Sequence, residues 1–197
     1  MRPKGVESNQ FAYHLEQLLK SKIIQKNGRD YSLTGTGLML ADRSSHKNID
    51  LRKQPHIVTT ICVMSGNKIL LFEHKFQPYI GLKGFVQGRT HFNETVQESA
   101  RRELFEKTGL ENVDLVLRGT VYITAKKDGE VISKLLSHVF YGELTGQPKL
   151  ESDNPKKGEA FWVEESEIKG GTMPGFREIS NLLKNESGFF KEIEATI

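Results

Sequence analysis

Gly88-Arg89-Thr90-His91-Phe92-Asn93-Glu94-Thr95-Val96-Gln97-Glu98-Ser99-Ala100-Arg101-Arg102-Glu103-Leu104-Phe105-Glu106-Lys107-Thr108-Gly109-Leu110 decides the fold of this chain. The run predicts a helix from Asn93 to about Thr108. Asn93 is a capping residue type, Val96, Ala100 and Leu104 fall on one face, and Gly109 stops the helix. Glu103 lies beside that apolar face, and Glu106 sits one turn on along the polar flank. Two carboxylates at i, i+3 reach a common point. Oxygen donors of this kind suit Mg²⁺ or Mn²⁺, hard cations that keep several waters and also accept phosphate oxygens. Arg102 is no metal ligand, but it is spaced to pair with Glu98 or Glu106 and hold the carboxylates in position.

The spacing is Gly, five residues, Glu, seven residues, Arg-Glu, an aliphatic, any residue, two acidic positions, any residue, Gly and an aliphatic. In this it resembles the Nudix box of the hydrolases of nucleoside diphosphates linked to another moiety. Every fixed position matches except one, where Lys107 replaces the last glutamate. The preceding loop, Gly81 to Gly88, departs as well, with Gln87 before a single glycine where the family often has a Pro-Gly-Gly type turn. The resemblance implies a Nudix-type α/β/α sandwich with a mixed sheet. It also implies a metal-dependent pyrophosphohydrolase, in which a metal-activated water attacks a diphosphate linkage. By position, Glu103, Glu106 and Arg102 are its catalytic residues. Glu103 and Glu106 are metal ligands, joined by a backbone carbonyl near Gly88 and a later carboxylate, with Glu159 first and Glu151 and Asp153 behind it.

Lys107 makes the hydrolase reading conditional. On the helical wheel it falls between Val96 and Ala100, so it points inward, towards the place the family gives its cation. A hard divalent ion beside a buried ammonium is strongly repelled. Three arrangements are open. Lys107 pairs with Glu103 and leaves one metal site; or it occupies the cation's place and binds phosphate without hydrolysis; or it swings to solvent and another carboxylate fills in. The second arrangement gives the alternative function, a sensor of a nucleotide or ADP-ribose-like ligand with little or no hydrolysis.

Working outward, strands are predicted at Ile57 to Met64, Lys68 to Glu73, Asp114 to Ile123, Ser133 to Gly142 and Ala160 to Val163. A closing helix follows from about Phe176 to Asn185. Strands on both sides of a central helix, with a second helix at the end, imply an α/β sandwich over residues 55–197. Pro78 to Gly88 reads as a loop, and Phe76, Tyr79 and Phe85 offer rings for stacking on a base. His91 reads as a loop residue.

Residues 1–43 form a separate segment and 44–54 a polar linker. The first 53 residues carry ten Lys or Arg against five Asp or Glu, and the rest carry 18 against 20, so the net +3 hides a basic head on a mildly acidic body. In the head, Ser8 or Asn9 caps a helix with Phe11, Leu15, Leu18 and Leu19 on one face, and Asn27-Gly28 marks a hairpin. A helix, a basic ribbon, then Leu33-Thr34-Gly35-Thr36-Gly37 and an apolar segment to Ala41 resemble the last part of a winged helix-turn-helix domain. That resemblance makes Tyr13, His14, Gln17 and Arg29 candidate DNA contacts, as the sensor reading requires. The competing roles for the head are packing on the body or on a second subunit of a homodimer. With 197 residues, 37% of them hydrophobic, the chain needs no covalent staple, and the single Cys62 cannot form an internal disulfide. A cytoplasmic protein without a membrane span is expected.

Overall fold

Helix α1 (Ser8–Lys20) opens the N-terminal unit and is followed by a hairpin of β1 (Ile24–Asn27) and β2 (Asp30–Leu33). Gly28 turns the hairpin with a φ of 63°, the left-handed region glycine enters without steric cost. The apolar segment after it is a helix, α2 (Gly35–Arg43), and the Leu-Thr-Gly-Thr-Gly sequence explains its start. Thr34 Oγ1 accepts from the Gly37 N–H at 3.1 Å. A Cβ at residue 37 would lie 2.1 Å from the Ile23 carbonyl oxygen, so only glycine lets α2 approach there. The structure, a computed structural model, describes residues 7–43 and 54–197. The predicted linker at 44–54 lies, except for Gln54, outside them. By its contacts the chain divides into two units, Met1–Gln54 and Pro55–Ile197.

The second unit is built on one mixed sheet. Its strands are β3 (His56–Ser65), β4 (Lys68–His74), β5 (Lys83–Gly84), β6 (Val86–Arg89), β7 (Val116–Lys127), β8 (Glu130–Glu143), β9 (Gly158–Glu164) and β10 (Phe189–Thr196). The order is β10-β7-β8-β3-β4-β5, with β6 on β3 and β9 on β4. Strands β3 and β4 pair only beside their turn, at Met64 with Ile69 and Ser65 with Lys68, and then diverge. Beyond the fork β6 pairs with β3 and β5 with β4, so Gly88 comes to lie opposite Thr59. A cleft opens in that fork.

Two helices, α3 (Val96–Thr108) and α4 (Phe176–Asn185), pack on opposite faces of the sheet. Strand alternation sorts the core accordingly. Cys62, Ile69 and Leu71 join the cluster of Phe176, Ile179 and Leu183 from α4. Ile61, Val63, Leu70 and Phe72 join Ala100 and Leu104 of α3. Burial on both faces is why β3 and β4 read as continuous apolar runs.

Three readings need correction here. The helix predicted from Asn93 begins at Val96 with Thr95 as its N-cap. The predicted loop before Gly88 contains β5 and β6. Strand β10, running parallel to β7, was not anticipated at all.

Candidate active site

Helix α3 is fixed at both ends before it positions anything. Thr95 Oγ1 accepts from the Glu98 N–H at 3.2 Å, and a Glu98 carboxylate oxygen accepts from the Thr95 N–H at 2.7 Å. This reciprocal capping box draws Glu98 away from Arg102, overturning the Glu98 pairing expected from helical spacing. At the other end Gly109 takes a φ of 71°, and its N–H donates to the Phe105 carbonyl at 2.7 Å.

Gly88 explains its own presence. A Cβ there would fall 1.7 Å from the Glu103 carboxyl carbon, so the bare backbone of β6 makes room for that carboxylate. Glu103 is buried. Its Oε1 accepts from Arg102 Nη1 at 2.8 Å. Arg102 also grips Glu94 bidentately, at 2.9 Å from Nε and 2.7 Å from Nη2, and donates to the Arg89 carbonyl at 3.0 Å. Its contact to Glu106 is longer, 3.4 Å. The Arg102 guanidinium and the His91 N–H, which donates at 2.6 Å, hold the Glu94 carboxyl at about 2. The His91 ring itself is exposed on the loop.

Lys107 points inward, as its wheel position predicts, and its Nζ donates to the second oxygen of Glu103. The same ammonium donates to the Gln87 carbonyl at 2.8 Å and lies 5.7 Å from the centroid of the Phe72 ring. Gln87 is held in turn by its side chain, whose Nε2 donates to Thr60 Oγ1 at 2.9 Å. Two of the ammonium's three N–H groups are thus spent on a carboxylate and a backbone carbonyl, leaving one for a ligand.

Nudix hydrolases generally use divalent metals. The residues present do not fit such an ion at Glu103. Both its oxygens accept from cationic side chains, and the carbonyl beside Gly88 accepts from a third N–H. Among the described residues no group of three or more His, Cys, Asp or Glu is placed to hold a metal ion. Glu159 stands apart, exposed and paired with Lys75 at 3.1 Å. Glu151 is taken by Lys149 at 2.6 Å. Asp153 comes nearer, since its N–H donates to the Glu106 carbonyl at 2.8 Å.

Glu103, Glu106, Arg102, Lys107 and Asp153 line a common cleft of about 850 Å³. Phe76 and Tyr79 lie on its wall, whereas Phe85 is core, packed against Phe176 with 4.7 Å between centroids. Reading the sequence missed His74 in this site, and it missed how Glu94 of the box is used. Glu94 reaches Arg102 only because the loop folds back, a pairing that helical spacing does not announce. His74 extends the row Leu70, Phe72 on the α3 face of β4, and that period-two row was the signal available for it. In the N-terminal unit Tyr13, His14, Gln17 and Arg29 are all exposed, with the Tyr13 and His14 rings edge to face at 5.5 Å. No helix among the described residues is long and apolar enough to cross a membrane.

Comparison with known proteins gives concordant results. An ADP-ribose pyrophosphatase from Methanocaldococcus jannaschii is 31% identical over 120 residues, covering 58% of this chain and 69% of the relative. The NUDIX domain of Shewanella oneidensis NrtR, complexed with ADP ribose, superposes with a TM-score of 0.59 at 13% identity, over 77% of this chain and 97% of that one. A MutT protein from Bacillus halodurans gives 0.55 at 20%, over 72% and 90%. The NUDIX domain model matches residues 54–183, the span that holds the box, the fork of the sheet, α3 and all but the last two residues of α4, and the chain belongs to the Nudix family.

Proposed function

We propose that the cleft binds a nucleoside diphosphate joined to a second moiety, of the ADP-ribose kind, and hydrolyses it weakly or not at all. One observation carries the reading. The Lys107 ammonium donates to Glu103 and to the carbonyl beside Gly88, the two groups from which the box builds a cation site. A fixed ammonium keeps a positive charge and a free donor for a phosphate oxygen. It does not lower the pKa of a bound water as a divalent ion does. The M. jannaschii relative, an ADP-ribose pyrophosphatase by name, supports the ligand class.

A sensor of this kind has an output, and the basic N-terminal segment is its candidate. Exposed Tyr13, His14 and Gln17 on α1 and Arg29 at the hairpin turn are the side chains assigned to DNA. Phosphate contacts by this segment predict DNA affinity that falls steeply with added salt; affinity indifferent to salt removes DNA from the proposal.

The competing reading is a metal-dependent hydrolase in which Lys107 turns to solvent. It is favoured by Glu106, half-exposed in the cleft with only a 3.4 Å contact to Arg102, and by Asp153 beside it. A phosphate-release screen over nucleotide sugars and dinucleotides with Mg²⁺ or Mn²⁺ separates the two. The binding reading expects metal-independent affinity for ADP-ribose, little turnover by the wild type, and turnover gained by Lys107→Glu. Wild-type turnover that disappears in Glu103→Gln establishes the hydrolase instead.

A further inference from the structure

His74 ends the inward-facing row of β4 with both ring nitrogens buried and without a hydrogen-bond partner. The residue is 6% exposed and lines the same cleft as Lys107. Apolar ring edges surround it: Phe72 at 5.3 Å, Phe76 at 5.6 Å and Tyr79 at 6.1 Å between centroids. Its backbone closes the loop that carries two of those rings. The His74 N–H donates to the Leu82 carbonyl at 3.0 Å, and its own carbonyl accepts from the Gly81 N–H at 2.7 Å. Phe72 bridges the two polar groups, with the Lys107 ammonium over its face and the His74 ring against it.

Buried polar atoms are nearly always paired, so an imidazole with two orphaned nitrogens at a cleft wall calls for a partner from outside the chain. Burial, reinforced by Lys107, lowers the His74 ring to about 4. At neutral pH it therefore carries one N–H donor and one bare acceptor, and no charge to attract a phosphate. Its complement is a neutral group that both accepts and donates, set beside the anionic part held at Lys107.

We propose that His74, framed by Phe72, Phe76 and Tyr79, is the subsite that recognises the uncharged, ring-bearing end of the ligand through a base edge or a sugar hydroxyl. The inference rests on the proposed binding of a nucleoside diphosphate derivative.

The test is calorimetric binding of ADP-ribose, ribose 5-phosphate and pyrophosphate to the full chain and to His74→Phe, which keeps a ring and removes both nitrogens. Loss of one satisfied pair predicts about tenfold weaker ADP-ribose binding, with pyrophosphate affinity unchanged. A matching loss for ribose 5-phosphate assigns the sugar hydroxyl; its absence assigns the base edge. The Tm of the ligand-free variant does not fall, because no intramolecular bond is lost, whereas a purely structural histidine would lower it. Unchanged ADP-ribose affinity in His74→Phe, or an equal loss for pyrophosphate, overturns the subsite. A wild type that binds none of the three probes overturns the proposed function itself, and the subsite with it.

Discussion

The two faces of the central sheet are made by alternate residues of the same strands, yet they do different work. Towards α4, Cys62, Ile69 and Leu71 meet Phe176, Ile179 and Leu183, an entirely apolar set. Burial, with Glu165 adding to it, pushes the Cys62 thiol up to about 12, so this thiol stays protonated at neutral pH. Towards α3 the apolar packing stops short. Phe72, Ala100 and Leu104 give way at the fork of the sheet to buried Glu103 and His74 and half-buried Lys107. The α4 face supplies cohesion, and the α3 face uses part of it to keep charged and orphaned groups out of water.

That division is broken most directly from the dry side. Phe176→Ala removes a ring that is 5% exposed and packed at a tilt against Phe85. It is expected to cost about 3–5 kcal/mol in chemical denaturation. Ligand affinity of the protein that remains folded should hold, because no α4 residue lines the cleft. A parallel loss of affinity would show that the faces are not separable.

On the wet side the comparison sharpens through pH. His74 has a folded-state value near 4 against an ordinary 6.5, so between these values the unfolded chain binds the proton and the folded one does not. The fold feels no effect of this titration above about pH 6.5 and loses on the order of 3 kcal/mol as pH falls towards 4, because only the unfolded chain takes up the proton. Burial also lowers His138 on β8, which adds a smaller slope of the same sign that His74→Phe leaves behind. Glu94 works in a separate window. Held at about 2 by Arg102 instead of 4.5, it contributes stability above the ordinary value that disappears as pH falls from there towards 2. Denaturation followed from pH 8 to 2 should therefore show two acid limbs. His74→Phe flattens the upper one and Glu94→Gln the lower; a single limb unaffected by either substitution would remove both assignments.

Gly88→Ala tests the fork itself. The added methyl meets the Glu103 carboxylate, which must leave both Arg102 and Lys107. We expect about 1–3 kcal/mol of destabilisation and loss of measurable ADP-ribose binding, read by denaturation and calorimetry. Retained affinity would mean that the Glu103–Lys107 pair does not shape the anion site.

How much of this was legible depended on burial and on chain distance. β3 and β4 declared themselves because both faces of each are covered, and α3 because its spacing carries both an apolar row and the box. β10 was silent. It is an edge strand in which Phe189 and Ile193 are buried while Phe190, Lys191 and Glu192 face out, so no apolar run forms. β5 and β6 are two and four residues long and hold glycines, which read as loop. In the site, the inward aim of Lys107 and its pairing with Glu103 were accessible from helical geometry. Its bond to Gln87 was not, because a backbone carbonyl has no residue-type signature.

The smallest expected effect falls at the start of α3, where the two faces differ again. Helix α4 begins at Gly175, with a φ of 80° and no side-chain cap, and relies on burial of Phe176 and Ile179 to hold its first turn. Helix α3 begins with the Thr95–Glu98 capping box, and Glu98 lies outside the apolar row. Thr95→Ala should therefore cost about 1 kcal/mol. Because the two side chains serve each other's backbone, Thr95→Ala and Glu98→Ala should be less than additive in a double-mutant cycle. Affinity for ADP-ribose should stay near wild type, since Glu103 and Lys107 lie two and three turns further on and are held from β6. Should the cap variants lose affinity in proportion to stability, the first turn of α3 would set the position of the Glu103–Lys107 pair, and the fork of the sheet would not be sufficient to hold it.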